Sequence, residues 1–233
     1  MLAAQETQDL TAQLLRAALP HVAFEGWSDS SFLAACEDAS IDPDIATLAC
    51  PRKAFDLAVR LHHNGDEQMQ MKLQETDFST MKIREKIAHA VRARLDVMTD
   101  KEAVRRAATL MALPHHAAEG MELVWGTSDH IWNAIGDTSE DVNWYTKRFI
   151  LSGVYGSTVL YWLGDNSPNH QNTSDFLDRR IANVMQVEKL KAQANSNLIA
   201  KQLLKGPNWL LSKIKAPRSG PPVGLPGGWP SQG

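Results

Sequence analysis

The sequence predicts an all-α protein, and three observations carry that expectation. Ala, Leu, Met, Lys, Arg, Glu and Gln, which lose little on entering a helix, dominate almost every window. No window sustains the period-two alternation of a half-buried strand. Apolar residues recur instead at helical spacing, in segments opened by Asp or Ser and closed by Gly or Pro.

The elements follow in order. QETQDLTAQLLRAALPHVAFEGW (5–27) is the first helix, with Gly26 as its stop. Asp29 or Ser30 caps a second that runs to about Ala39, and Asp42 caps a short third with Pro43 at its first position. Pro51 ends that helix and opens the next, 52–74. A further helix spans 78–98, with Phe78 preceding Ser79 as its cap. Helices over 100–113, 115–136, 139–165 and 173–205 complete the set, and Gly206-Pro207 breaks the last. NWLLSKIK (208–215) is a short further piece, and the Pro/Gly-rich end, 216–233, reads as disordered.

These boundaries divide the chain into a three-helix unit (1–50), a larger bundle (51–183), an amphipathic segment (184–215) and a tail (216–233). A helix-turn-helix unit followed by a helical bundle is the plan of TetR-type regulators. The fold class expected is therefore an all-α, TetR-like bundle with a degenerate N-terminal helix-turn-helix and a C-terminal amphipathic helix.

Nucleic acid is not an expected partner. Between Arg16 and Arg52 there is no Lys or Arg, while Glu25, Asp29, Glu37, Asp38, Asp42 and Asp44 all fall there. Binding to DNA draws its affinity from basic side chains on phosphates, and its specificity largely from Arg, Lys, Asn and Gln on bases. The segment 42–50 supplies none of these. A ligand-responsive regulator is the rival from another functional class, and this acid-only interval counts against it.

Catalytic and metal chemistry find no residue set. A di-iron bundle needs repeated Glu-x-x-His, and no Glu in the chain has His three residues on. His62-His63 and His115-His116 are adjacent pairs that point to different helix faces, as surface or cap residues do. Cys36 and Cys50 match no metal or redox spacing and read as half-buried thiols. No cofactor and no enzymatic activity are expected.

No run reaches the roughly 20 apolar residues of a membrane span. The opening MLAAQETQDL has two acids and no Arg, unlike a transit peptide. A cytoplasmic chain peripheral to the inner membrane is the expectation. Charge is unevenly distributed: all 27 acids and 17 of the 24 basic residues precede position 189, and seven basic residues with no acid follow. That asymmetry points to an anionic partner at the C-terminal end.

The stretch 139–163 begins polar and becomes apolar nearly all round, which means burial. Gly153, Gly156, Ser157 and Thr158 interrupt it with small side chains. Small residues admit either a closely packed helix or a ligand. A lipid cavity here would be lined by Leu151, Val154, Tyr155, Thr158, Tyr161 and Trp162, with Met111, Leu113, Trp125 and Trp132. At the polar end Asp141, Trp144, Tyr145 and Arg148 share one face by spacing. Trp, Tyr and Arg anchor protein interfaces. An ordinary amphipathic edge, with Asp141 pairing Arg148, fits the same spacing.

In the last helix Ile199, Leu203 and Leu204 lie on an apolar stripe opposite Lys201 and Lys205. After the break, Trp209, Leu210, Leu211 and Ile214 accompany Lys213 and Lys215. An apolar face flanked by lysines and free of acids suits an interfacial membrane helix, though docking on the bundle or on a dimer mate fits too.

GDTSEDVNWYTKRFILSGVYGSTVLYWLGDNSP, followed by FLDRRIANVM, resembles the Coq-nine family of ubiquinone biosynthesis accessory proteins, as do FEGWSD and AATLMALPHH. The resemblance runs over about residues 10–205. It implies a TetR-like fold that does not act on DNA, a lipid pocket, a membrane-docking C-terminal helix and no catalysis. It further implies that a bound isoprenoid or quinone lipid is presented to the demethoxyubiquinone hydroxylase. The family's partner patch falls on Asp141, Trp144 and Tyr145, with Arg148 nearby. Gly206-Pro207 departs from a single long membrane helix. Without a transit peptide the chain is expected to be a bacterial member. Homodimerisation through the last helices is expected by fold analogy alone.

Overall fold

The computed structural model describes residues 2–196. Its elements there are α1 (Leu2–Glu25), α2 (Asp29–Ala39), α3 (Pro43–Ala49), α4 (Ala54–Gln74), α5 (Ile83–Asp96), α6 (Lys101–Met111), α7 (Ala117–Ala134), α8 (Val142–Gly164) and α9 (Gln171–Ser196), with a 3-10 turn at Pro168–His170. All regular structure among the described residues is helical.

Local chemistry sets most boundaries. Gly26, at φ +69°, ends α1 in the left-handed conformation that glycine adopts without strain. The cap of α2 is Ser28, not Asp29 or Ser30: it exchanges hydrogen bonds with Ser31, whose hydroxyl accepts from the Ser28 N–H at 3.1 Å. Asp42 caps α3 as its sequence predicts, accepting from the Asp44 N–H at 2.8 Å with Pro43 next in line.

Two other starts move. The expected Ser79 cap is displaced because the Asp77 carboxylate takes the Ser79 N–H at 2.9 Å and turns the chain. Glu85 then takes the Lys82 N–H at 2.8 Å, and α5 begins at Ile83. At the other end, Asp165 accepts from the N–H and hydroxyl of Thr173 at 2.9 and 2.6 Å, with Thr173 already inside α9.

Apolar residues gather in two clusters. One joins Leu14, Ala18 and Val22 of α1 to Phe32 and Cys36 of α2, Ala46 of α3, Cys50 at its end, and Leu57 of α4. The other joins Met69, Val91, Leu95, Ile131, Trp132, Leu151, Tyr155, Trp162 and Leu177. Cys36 and Cys50 are fully buried free thiols rather than half-buried ones, and burial raises both pKa values.

A polar knot ties α4, α5 and α7. The Arg94 Nε donates to Asp66 Oδ1 at 2.7 Å, and Thr127 donates to the same oxygen at 2.8 Å. His62 contacts the Thr127 hydroxyl at 2.9 Å. Burial pushes the His62 imidazole down to about 4. The adjacent pair expected at the surface therefore has one member folded inward.

Burial alone would raise the Asp66 carboxyl, but His130, His62 and Arg94 together hold it down to about 2. Its stabilising contribution is thus present above the unfolded value of about 3.9 and is lost as pH falls from there through about 2. Asp66→Ala leaves the Arg94 charge buried without its partner and is expected to cost about 3–5 kcal/mol in urea unfolding at neutral pH. The variant's stability should also fall less than the parent's between pH 4 and pH 2.

Candidate functional site

The site lies where α7 meets the first turns of α8. Asp141 caps α8, accepting from the Asn143 N–H at 2.9 Å. This sets the phase that turns Trp144 and Tyr145 toward Trp125 of α7. The three rings form a platform, with centroids 4.8 Å apart for Trp144–Tyr145, 6.0 Å for Trp125–Trp144 and 6.5 Å for Trp125–Tyr145. All three side chains are half-buried. Large rings that keep one side wet suit docking, because they bury much area with little side-chain freedom to lose.

Arg148 stands behind this platform rather than on it. It is 1 % exposed. Its carbon centre lies 3.9 Å from the Trp144 ring centroid. Nε donates to Asp129 Oδ1 at 2.5 Å, Nη1 to Asp137 Oδ2 at 3.1 Å and to the Trp144 carbonyl at 3.2 Å, and Nη2 to Asn133 Oδ1 at 3.0 Å. The expected Asp141–Arg148 pair is therefore corrected: Asp141 serves its own helix, and Asp129 and Asp137 hold the arginine.

Lys147 braces the same corner, donating to Asp137 Oδ1 at 2.7 Å while Trp132 Nε1 donates to the Lys147 carbonyl at 3.1 Å. Burial would push the Asp137 carboxyl up, but the bonds from Lys147, Ser139 and Arg148 outweigh it and hold it below the usual range.

The residues expected to line a lipid cavity do not come together as one. Trp132, Leu151, Val154, Tyr155 and Trp162 pack into the second core cluster, and Thr158 is fully buried. Leu113 and Tyr161 are exposed, Tyr161 stacking on Phe176 at 4.5 Å, and Met111 is half-buried. A cleft of about 220 Å³ lies beside Trp162, between α5 and α9, lined by Leu95, Thr173 and Leu177. It is smaller than the ~300 Å³ at which drug-sized sites begin.

What the pattern did not reveal is the outer face of α8. Phe149 is 73 % exposed and Leu160 66 %, and Met121 of α7 is 69 % exposed. Tyr145, Phe149, Gly153 and Leu160 fall along one side of α8. A Cβ at Gly153 would meet open space, and one at Gly156 would only touch Val124 of α7 at 4.0 Å. Among the described residues, these glycines serve neither a tight helix crossing nor an internal pocket. They flatten an apolar strip.

At the other end of the molecule, α3 exposes Asp44, Ile45 and Leu48 where a DNA-reading helix would carry basic side chains. Among the described residues no group of three or more His, Cys, Asp or Glu is placed to hold a metal. No described helix is long and apolar enough to cross a membrane. The expected membrane residues Ile199, Lys201, Leu203, Leu204, Lys205, Trp209, Leu210, Leu211, Lys213, Ile214 and Lys215 lie outside the described residues.

A helix-turn-helix unit on a helical bundle defines the TetR-like class. The chain superposes on a TetR transcriptional regulator from Nitrosomonas europaea ATCC 19718 with a TM-score of 0.62 at 19 % identity, over 75 % of this chain and 97 % of that one. That likeness fixes the fold. The sequence of α7 to α9 adds a second likeness: residues 117–188 match the COQ9 family profile. The COQ9 ubiquinone biosynthesis protein of Drosophila melanogaster, mitochondrial, is 31 % identical over 189 residues, covering 79 % of this chain and 58 % of the fly protein. Its counterpart from Bos taurus is 27 % identical over 200 residues, covering 82 % and 62 %. The Xenopus tropicalis protein reaches 40 % over 76 residues, 33 % of this chain and 24 % of its own. The chain thus spans about three fifths of the length of its fly and cattle relatives.

Removing the buried cation should be far costlier than removing the cap. Arg148→Met strands Asp129 and Asp137 and is expected to cost about 3 kcal/mol or more, against about 1 kcal/mol for Asp141→Ala, both read from urea unfolding.

Proposed function

We propose that the chain is a non-catalytic accessory protein of ubiquinone biosynthesis. It binds prenylated quinone intermediates at a membrane surface and presents them to a demethoxyubiquinone hydroxylase. The single observation that carries this reading is the exposed aromatic and apolar face of α7 and α8. Trp125, Trp144 and Tyr145 form its polar-edged end, and Phe149, Gly153, Leu160 and Met121 its apolar strip. Exposed apolar patches of this kind mark protein or lipid contacts.

The ring platform docks the partner enzyme, and the strip takes the prenyl chain. This revises the lipid reading: the side chains buried under α8 are core, and the chain of the lipid lies on the outer face. The COQ9 names of the relatives supply the pathway. The acidic and apolar exposure of α3 supports this reading over DNA binding. A cytoplasmic chain held at the inner membrane by its lysine-flanked C-terminal segment completes the picture, with no metal or organic cofactor of its own.

Partner titration by surface plasmon resonance tests the docking half. Trp144→Ala and Tyr145→Ala are each expected to weaken hydroxylase binding by about 30-fold, as anchor residues do. Ile45→Ala, on the far face, should leave it unchanged. Equal affinity for all four chains, variants and parent, would refute the assignment.

A further inference from the structure

The helix-turn-helix unit and the bundle meet over a separate cleft of about 190 Å³. Leu15 and Leu19 line it from α1, Leu61 from α4, and Val97, Met98 and Val104 from the α5–α6 end. Its deepest polar group is Arg94, which is 1 % exposed and reaches the cleft beside Gly65. Two of the three guanidinium nitrogens are engaged. Nε donates to Asp66 at 2.7 Å and Nη2 to the His62 carbonyl at 2.9 Å. Nη1 is buried and has no partner.

The space around that nitrogen is made by the sequence. A Cβ at position 65 would sit 2.3 Å from Nη1, so any side chain there would drive the guanidinium away. Glycine within a helix is unfavourable, by about 1 kcal/mol against alanine. Here it makes room for a charged donor beside the cleft. A buried N–H without an acceptor is costly, and folded proteins seldom leave one.

We propose that this cleft binds a small apolar molecule through a single acceptor oxygen, carboxylate or carbonyl, which takes the free Arg94 Nη1 donor. The volume limits the body to one ring or a short chain, below the ~300 Å³ of drug-sized sites. Arg94 is already paired with Asp66, and Arg16 and Asp100 both stand on the lining, so the site does not demand a charged ligand. Asp100 is turned to its own helix, where it accepts from the Ala103 N–H at 2.9 Å. The cleft shares no residue with the α7–α8 face, so this assignment stands or falls independently of the lipid and partner reading.

NMR on the full chain, observing both the ligand and the arginine side chains, tests it with three probes of one size: benzoate, acetophenone and ethylbenzene. At least one oxygen-bearing probe should bind saturably, about tenfold or more tighter than ethylbenzene, and shift the Arg94 side-chain resonance. Benzoate alone would identify a carboxylate site, and acetophenone alone or both would identify a carbonyl acceptor as sufficient. Ala107→Leu and Val97→Phe fill the cleft away from the ion pair. In whichever of them melts like the parent, binding should be lost. Equal affinity for ethylbenzene, no saturable binding up to about 10 mM, or unchanged binding in a folded cleft-filling variant would overturn the proposal.

Discussion

The α7–α8 face depends on one buried cation. A guanidinium taken out of water loses several kcal/mol of hydration, and only close, well-directed partners offset that. Arg148 has them: all three of its nitrogens donate, to Asp129, Asp137, Asn133 and a backbone carbonyl. Because Asp129 and Asn133 belong to α7 and Arg148 to α8, this one side chain fixes the two helices at a set rotation and spacing. Trp144 then rests on the guanidinium face. A ring platform held this way enters a complex already ordered, so little affinity is lost to freezing side chains.

Arg94 does the same work between α4, α5 and α7, with a difference that matters. Arg148 is satisfied at every nitrogen, whereas Arg94 keeps one donor in reserve beside Gly65. The first arrangement is a fixed brace. The second is a brace with one unpaired donor beside a cleft. In the second apolar cluster Trp132, Leu151, Tyr155 and Trp162 fill what the sequence reads as cavity wall.

Local chemistry was the legible part. Gly26, the Asp42-Pro43 start of α3 and the helical identity of the segments within the described residues follow from residues within one turn of each other, and all of these are seen. The α5 start was misread because Asp77, Ser79 and Ser/Thr neighbours offer several competing side-chain acceptors, and spacing does not say which wins. The side-chain partners of Arg148 lie 11 to 19 positions away and the Arg94–Asp66 pair 28 apart, beyond any helical period. Gly65 inside a helical run was the available signal for the latter. The α8 misreading has a different origin: a helix apolar nearly all round tells of burial, but Phe149 and Leu160 are exposed. Such a helix can equally present its surplus face to a partner that the chain alone does not contain.

Organic extraction and mass spectrometry of the purified full-length chain, beside Phe149→Glu with Leu160→Glu, tests directly whether this face carries a lipid. The parent should yield an isoprenoid or quinone lipid near one per chain, and the doubly charged strip should yield almost none while melting like the parent. Lipid retained in equal amount by the variant, or absent from both, would contradict the claim.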